Sequence, residues 1–382
     1  MTRTAFAHYT RESIHEVAQF RALPTALRRS VLAASVVLPF RVNAYVLEHL
    51  VDWAAAPDDP YFQLTFPQLD MLPAATAVAV APLWDRSSAD PVVGRAAAAA
   101  RAELNPHPAD QWALNVPATD DGLLRGVQHK YPSTVLFFPA AGQTCHAYCT
   151  YCFRWPQFTG DPELRFAERD VSTLLTYLRG RTQVTDVLLT GGDPLVMHAS
   201  LLRRYIAPLL APEFAHVRVI RLGTKSLGYW PHRFLTDADA GELLRLFDEV
   251  AAAGRQLAVM SHFTHPRELS QPHTRRAIRA VQRTGAVIHS QEPIVRGVND
   301  SADTWAELWA AEVSVGVVPY YAFVLRNTGP KRYFDVPLAR CLAILQAARR
   351  RLSGLAQTAR GPVMSASPGK VLVESAPVIN GQ

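Results

Sequence analysis

Short runs of β-branched and apolar residues alternate with amphipathic stretches from residue 130 onward, and this alternation constrains the fold of the 382-residue chain. Parallel strands need crossover connections of about a dozen residues or more, so the alternation predicts a parallel sheet covered by helices. Six such units are fewer than the eight that close a full barrel, which favours an α/β fold with a partial (βα)6 barrel and a site at the carboxyl ends of its strands. The predicted strands are 134–138, 186–190, 217–222, 257–261, 286–290 and 316–321, and the helices after them are 171–181, 199–211, 238–253, 274–284, 302–313 and 337–352.

The first part of the chain has a different pattern. It is alanine-rich, and helical spacing predicts helices over 13–21, 25–37, 42–56 and 94–104. No motif there points to chemistry, which favours a helical cap or an oligomer surface. We therefore predict an N-terminal helical region (1–115), the partial barrel (116–360) and a C-terminal segment (361–382).

Three of the four cysteines, Cys145, Cys149 and Cys152, lie in one loop with C-x3-C-x2-C spacing. Thiolates suit iron–sulfur clusters, and three of them can hold three irons of a 4Fe–4S cluster while the fourth iron stays open to a small molecule. A zinc knuckle or a chance cluster is the alternative. A structural zinc site normally needs four ligands, His146 is too close to Cys145 to reach the same metal easily, and Cys341 stands alone in a helical stretch.

Composition excludes several classes of function. The net charge is +6 and the pI about 9.2, but the arginines are scattered along predicted helices without a basic stripe, so we expect no nucleic-acid partner. No apolar run reaches the ~18–20 residues that span a bilayer, and the first residues do not resemble a signal peptide. We expect a cytoplasmic protein without a disulfide framework, in a reducing compartment that suits an oxygen-sensitive cluster.

Further polar residues fall at predicted strand ends. Gly191 and Gly192 would let the backbone approach a ligand closely, and the Asp193 carboxylate could receive an ammonium group or cap the next helix. Lys225, His262 and Gln291 follow the third, fourth and fifth predicted strands.

Two more segments could bind a phosphorylated ring. Lys130 could bind a phosphate and Tyr131 could stack on a planar ring, although a loop entering the barrel is the simpler interpretation. Lys370 is predicted in a tight turn between two β-like runs, where it could form a Schiff base with pyridoxal phosphate or be an exposed turn lysine.

Taken in order, these motifs resemble those of the lysine 2,3-aminomutase family of radical S-adenosylmethionine enzymes, from about residue 40 to about residue 375. The motifs are 129–132, the cysteine loop with Phe153 and Arg154, 186–195, 220–225 with 231–233, 261–266, 296–300 and 318–321.

The resemblance implies two cofactor sites. The three cysteines would hold a 4Fe–4S cluster that carries S-adenosylmethionine and takes an electron from a donor such as flavodoxin or ferredoxin. Lys370 would carry pyridoxal phosphate, with Lys130, Tyr131 and Lys225 around its ring and phosphate, and Arg154 would pair with the substrate α-carboxylate. The residues implied to line the S-adenosylmethionine site are Gly191, Gly192, Asp193, His262 and Gln291.

The implied reaction is an isomerisation that moves an amino group from the α-carbon to the β-carbon of an amino acid. A 5′-deoxyadenosyl radical takes a hydrogen from the β-carbon of the substrate, which is held as a pyridoxal aldimine. The nitrogen bridges to that carbon, and the hydrogen then returns.

Departures from the family pattern concern the substrate and the second cofactor. Arg326 stands where lysine-specific members have an aspartate, and a second aspartate is missing at 364–367, so we predict an acidic or neutral substrate rather than lysine. The turn before Lys370 is shorter than the family's. This leaves an alternative, a radical enzyme of this fold that has lost pyridoxal phosphate. A non-catalytic iron–sulfur electron carrier or sensor is the alternative from another class. No cysteine follows Cys341, so we expect no structural zinc, and the oligomeric state, a homo-oligomer included, stays open.

Overall fold

One continuous sheet forms the centre of the protein. In the computed structural model, which describes residues 5–106, 114–119, 122–366 and 369–376, this sheet has the strand order β13-β12-β11-β10-β9-β8-β7-β6-β5. Strands β6 to β12 run parallel, and β5 and β13 pair antiparallel at the two edges. The strands are β1 (His8–Thr10), β2 (Arg41–Asn43), β3 (Ala118–Thr119), β4 (Gly122–Leu123), β5 (Val127–Tyr131), β6 (Thr134–Phe137), β7 (Asp186–Leu189), β8 (Val219–Thr224), β9 (Gln256–Ser261), β10 (Val287–Pro293), β11 (Val318–Phe323), β12 (Arg360–Ala366) and β13 (Gly369–Leu372).

Side chains alternate between the two faces of these strands, as the pleat requires. Val187 and Ile220 are fully buried in the core between sheet and helices. Asp186 and Arg221 point to the opposite face, where Arg221 Nη2 and Asp186 Oδ2 form an ion pair at 2.8 Å. The partial barrel predicted from the sequence is therefore confirmed, with a helix-covered outside and a polar inside.

Helices follow the strands as the sequence predicts: four of the six are shorter than predicted, Pro272–Gln282 has the predicted length, and Ala302–Ser314 is one residue longer. The described helices are α1 (Ala18–Ala22), α2 (Thr25–Ala34), α3 (Ala44–His49), α4 (Pro60–Thr65), α5 (Ala74–Val80), α6 (Pro91–Leu104), α7 (Val171–Leu178), α8 (Ala199–Ile206), α9 (Ser226–Tyr229), α10 (Ala240–Ala252), α11 (Arg267–Ser270), α12 (Pro272–Gln282), α13 (Ala302–Ser314), α14 (Lys331–Phe334) and α15 (Leu338–Arg349).

The helix predicted over residues 42–56 is wrong in its second half. The Asn43 side chain caps α3 by accepting from Val46 N at 3.0 Å, and the helix ends at His49. The Asp52 side chain then accepts from Ala54 N at 3.1 Å and starts a short 3-10 turn. Such local side-chain bonds compete with helix continuation, although the apolar spacing persists.

The sheet is larger than the six predicted units. Residues 129–131, which the simpler interpretation placed in a loop, belong to β5, and 360–366 form the seventh parallel strand. Lys370 lies on β13, directly opposite Ser365 on β12, rather than in the turn itself. Residues 367 and 368 of that turn lie outside the described residues.

The N-terminal region holds the cysteine loop, a role that its sequence did not reveal. Tyr148 N donates to Arg41 O at 2.8 Å and Thr150 N to Leu64 O at 2.9 Å, while Thr150 Oγ1 donates to Gln63 O at 2.7 Å. One apolar core joins this region to the loop through residues such as Trp155. Within the described ranges, no helix is both long and apolar enough to cross a membrane.

Candidate active site

The cysteine loop lies just beyond the carboxyl end of β6. Cys145, Cys149 and Cys152 are half-buried and free of disulfides, and Cys152 N donates to Cys149 O at 3.0 Å in a tight turn. Burial raises the pKa of all three thiols, to about 12 for Cys152. The charge of Asp193, and then those of Cys152 and Cys149, raise the pKa of Cys145 further.

This donor set fits a 4Fe–4S cluster. Soft sulfur ligands on one loop suit iron, and binding to a metal would supply the deprotonation that burial opposes. Among the described residues, no three His, Cys, Asp or Glu side chains converge on one metal ion. Three thiols on one loop can each bind a different iron of a cubane, whereas a structural zinc site normally needs four ligands on one metal.

Two glycines at the end of β7 let the chain pass against this loop. A Cβ added to Gly192 would stand 2.4 Å from Thr144 O and 2.5 Å from Thr144 N, which no side chain tolerates. Gly191 has a φ of +126°, a backbone conformation that favours glycine. The two glycines therefore lie against Gln143 and Thr144 of the cysteine loop, whereas the close approach to a ligand stays a prediction.

Asp193 has the capping arrangement that the sequence left open as the alternative to ligand binding. Its buried carboxylate accepts from Thr224 Oγ1 at 2.7 Å, from Lys225 N and Ser226 Oγ at 2.9 Å, and from Leu195 N at 2.9 Å. Three of these donors meet Oδ2 and one meets Oδ1, so most of the roughly four acceptor positions of an ionised carboxylate are occupied. Asp193 therefore fixes the ends of β7 and β8 relative to each other beside the cysteine loop.

Lys225 requires a correction, because its ammonium group is not free to bind a phosphate. Nζ donates to Glu268 Oε1 and Thr264 Oγ1 at 3.0 Å and to His262 O at 3.1 Å, which uses its three protons. Glu268 is fully buried and needs a counter-charge. Lys225 also lowers the pKa of Cys149 against the larger effect of burial, so it belongs to the surroundings of the cysteine loop.

His262 and Gln291 are brought together as predicted. Gln291 Nε2 and His262 Nε2 are 3.3 Å apart at the ends of neighbouring strands. Burial, and secondarily Lys225, lowers the pKa of His262 to about 3, so the imidazole is neutral and can accept a hydrogen bond.

A second constellation surrounds Lys370. Its ammonium nitrogen lies 4.1 Å from the ring centre of Tyr321, 5.6 Å from that of Tyr131 and 5.8 Å from that of Phe323. Partial desolvation lowers its pKa, yet the side chain remains accessible to solvent. Lys130 Nζ donates to Ala366 O and to Ser365 Oγ, the latter at 3.5 Å. An accessible amine among aromatic rings, with a second cation beside it, fits a lysine-bound, phosphorylated aromatic cofactor.

Two arginines contact the ring of Phe153. The Arg326 guanidinium carbon lies 4.4 Å from its centre and that of Arg154 4.9 Å, and Arg154 also lies 4.5 Å from the ring of Phe138. Burial, and then the charge of Arg326, lowers the pKa of Arg154 to about 9. Within the described part of the chain, no carboxylate pairs with Arg154. A half-buried guanidinium without a counter-ion suits the carboxylate of a bound ligand.

Sequence comparisons find relatives with related names, although no family model matches the chain. It is 38% identical over 248 residues to a protein of Aquifex aeolicus (strain VF5) named "Putative L-lysine 2,3-aminomutase", covering 65% of this chain and 64% of the relative. It is 30% identical over 254 residues to the L-lysine 2,3-aminomutase of Clostridium subterminale, covering 66% of this chain and 57% of the relative. Over about two thirds of its own length, the chain is therefore similar to proteins named L-lysine 2,3-aminomutase.

The chain thus spans less than two thirds of the length of these relatives. Among solved structures, a radical SAM methyltransferase from Sphaerobacter thermophilus aligns with a TM-score of 0.42 and 18% identity, covering 64% of this chain and 71% of that one.

Sequence reasoning missed two neighbours of the cysteine loop. Cys149 Sγ donates to Tyr229 Oη at 3.8 Å, and the buried Glu268 holds Lys225. Tyr229 follows the third predicted strand and could have been considered on that ground. Nothing in the sequence distinguishes Glu268 from an exposed glutamate at the start of a helix.

A buried carboxyl pair, also missed, lies between β10 and α13. Glu292 and Glu312 are fully buried, and Ser290 Oγ donates to Glu312 Oε2 at 2.6 Å. Among the described residues, both oxygens of Glu292 and Glu312 Oε1 have no hydrogen-bond partner. Burial raises the pKa of both groups, to about 8 for Glu312, which is therefore mostly protonated at neutral pH.

Glu312→Gln is expected to make the protein more stable at pH 8 and less sensitive to pH. An unfolded glutamate loses its proton near pH 4.3, whereas folded Glu312 keeps it up to about pH 8. The contribution of Glu312 to the free energy of unfolding is therefore fully present at low pH, and it is lost as the pH rises from about 4.5 to 8. The glutamine variant should gain roughly 1–3 kcal/mol in free energy of unfolding at pH 8 and little near pH 4.5.

Urea unfolding at both pH values, followed by circular dichroism, measures this difference. Glu307→Gln, an exposed change on the same helix, is the matched control. A glutamine variant that loses stability at pH 8 would contradict the assignment of a neutral carboxyl group.

Proposed function

We propose that this chain is a radical S-adenosylmethionine amino acid 2,3-aminomutase that uses pyridoxal phosphate and does not act on lysine. One observation carries the proposal: a series of contacts joins the cysteine loop to Lys370. The ring of Phe153, next to Cys152, contacts Arg326 at 4.4 Å, and Arg326 Nη2 donates to Ser365 Oγ at 2.9 Å. Ser365 is the cross-strand partner of Lys370. These contacts support one shared site rather than two separate functions.

The chain's own residues would bind and orient the substrate. A bound cluster with S-adenosylmethionine supplies a carbon radical that abstracts hydrogen, and pyridoxal phosphate delocalises unpaired spin. Arg154 binds the substrate carboxylate with its planar fork, and Tyr131 and Tyr321 offer ring faces beside Lys370. Lys130 provides the positive charge for a phosphate in place of Lys225.

The charges around Lys370 support a substrate other than lysine. Arg326 and Lys370 both lower the pKa of Lys130 after the larger effect of burial, so three cations face one another here. Asp186, the carboxylate on the inner face of β7, is paired with Arg221. A second ammonium group would meet repulsion, whereas a distal carboxylate or a neutral group would not.

Anaerobic turnover with S-adenosylmethionine, a strong reductant, pyridoxal phosphate and β-deuterated amino acids tests the proposal. Deuterium should appear in 5′-deoxyadenosine, and a β-amino acid should form from an acidic or neutral substrate. Deuterium transfer without amino migration would favour a radical enzyme that has lost pyridoxal phosphate. Absence of 5′-deoxyadenosine under strong reductant would favour an electron carrier, and lysine as the best substrate would refute the specificity.

Arg154→Gln is expected to raise KM for the amino acid substrate by about 10²-fold, because removing one partner of a desolvated charge pair costs several kcal/mol. Reductive cleavage of S-adenosylmethionine without substrate should change little. Steady-state kinetics measure both quantities. Arg169→Gln, an exposed arginine outside this site, is the control, and an unchanged KM in Arg154→Gln would contradict the assigned role.

A further inference from the structure

An arginine-lined groove lies on the outer surface of the barrel, on α12. It has a volume of about 390 Å³ and is lined by Ser270, Pro272, Arg275, Arg276 and Arg279. Arg275 and Arg279 are exposed, one helical turn apart on the same face. Carboxylates are absent from its lining, and among the described residues none of the three arginines forms an ion pair. The groove therefore presents uncompensated positive charge.

A row of aromatic rings runs from this groove to the cysteine loop. His273, at the start of α12, has its ring centre 5.0 Å from that of His232, which is 5.0 Å from that of Trp230. Trp230 stacks on His146 with centres 6.4 Å apart and an interplanar angle of 22°. His146 directly follows Cys145, so four rings connect the outer surface to the cluster loop.

The rings of this row are neutral, so the positive charge of the groove comes from its arginines. Burial, together with His273, His49 and Arg276, lowers the pKa of His232 to about 4. Burial lowers the pKa of His146 to about 3 and also lowers that of His273.

The Asp237 carboxylate, which lies beside the row of rings, does not neutralise the positive charge of the groove. Asp237 accepts from Trp230 Nε1 at 3.0 Å and lies 3.9 Å from Arg233, which is thus its own counter-ion. Arg233 is fixed in turn by Asp239 at 2.7 Å.

We propose that this groove is the docking site of a small acidic one-electron carrier protein, whose electron reaches the cysteine loop along the four rings. The inference rests on the proposed function, which requires a reducible cluster. The carrier would lose one electron and the cluster would gain it, with no bond made or broken. Charge complementarity selects the partner, because an acidic surface meets three unpaired guanidinium groups and attraction of this kind speeds encounter.

Calorimetric titration of the cluster-loaded protein with an acidic plant-type ferredoxin tests the docking. The double variant Arg275→Glu/Arg279→Glu should bind roughly tenfold more weakly or worse, and binding by the parent should weaken as salt rises. Arg340→Glu, which reverses an exposed arginine on α15, is the matched control and should bind like the parent. Equal affinity of the double variant, or salt-independent binding, would overturn the proposal.

Stopped-flow measurement of cluster bleaching separates this inference from the function beneath it. The double variant should be reduced more slowly by ferredoxin and at the parent rate by dithionite, which needs no docking site. Failure of dithionite to reduce the cluster of the parent would count against the proposed function. If ferredoxin reduced the double variant at the parent rate, the groove would not be the docking site, and the proposed function would be unaffected. If the protein bound an RNA oligonucleotide through these arginines but did not bind ferredoxin, the partner of the groove would be RNA rather than an electron carrier.

Discussion

Cys149→Ala is expected to leave the protein without its iron–sulfur cluster and to lower S-adenosylmethionine cleavage by on the order of 10³-fold or more. Three thiolates are the fewest that can hold three irons, and the fourth cysteine, Cys341, is buried in a different apolar cluster from the one that packs on Cys149. Tyr229 Oη, at 3.8 Å from Cys149 Sγ, is a hard oxygen that binds iron–sulfur clusters poorly. Iron and sulfide content after anaerobic reconstitution, together with 5′-deoxyadenosine formation, measure the effect.

Cys341→Ala is the matched control for this experiment. Cys341 is buried on α15, where its Sγ donates to Val336 O at 3.3 Å, away from the cysteine loop. The control should keep a full cluster and lose only a little stability, because a small buried side chain is shortened. Full cluster content in Cys149→Ala would contradict the assignment of the three ligands.

Lys370→Ala is expected to remove the borohydride-trapped adduct with pyridoxal phosphate and to lower amino migration by on the order of 10³-fold or more. The lowered pKa of Lys370 makes a larger share of its amine unprotonated and nucleophilic at neutral pH. The neighbouring Lys130 cannot replace it, because its ammonium donates to Ala366 O and its positive charge is needed for a phosphate. Absorbance spectra before and after borohydride, with mass spectrometry of the trapped peptide, measure adduct formation.

Lys370→Arg separates charge from nucleophilicity, since it keeps the positive charge beside Tyr321 but cannot form the covalent bond. Both variants should retain the cluster and cleave S-adenosylmethionine, because the Lys370 ammonium group faces the rings of Tyr131, Tyr321 and Phe323 rather than a cysteine. An adduct that persists in Lys370→Ala would place the cofactor on another amine. An adduct absent from the parent would favour an enzyme without pyridoxal phosphate.

The barrel could be predicted because its signal is strong and local. Val187, Leu189 and Ile220 recur at the period that buries one face of a strand, and helices of the expected length follow. The three cysteines were identified from spacing alone. Strand β5 escaped prediction because polar residues such as His129 and Lys130 occupy an edge strand whose exposed positions carry no apolar pattern.

The charged residues were harder to place. The position of Lys225 after a strand suggested a ligand site, but the sequence could not show that a buried carboxylate, Glu268, would claim its ammonium group. Asp193 satisfied two interpretations equally until its four donors were located. In both cases the partner is distant in the chain, and a sequence pattern describes only near neighbours.

The backbone acceptors that fix the cysteine loop, Arg41 O, Gln63 O and Leu64 O, have a consequence for biosynthesis. Domains begin to fold from the amino terminus while the chain is still being made. These acceptors leave the ribosome about 80 residues before the thiols that they will position, as the numbers 64 and 145 show. The nascent loop therefore emerges after the segments that carry its backbone acceptors have been synthesised.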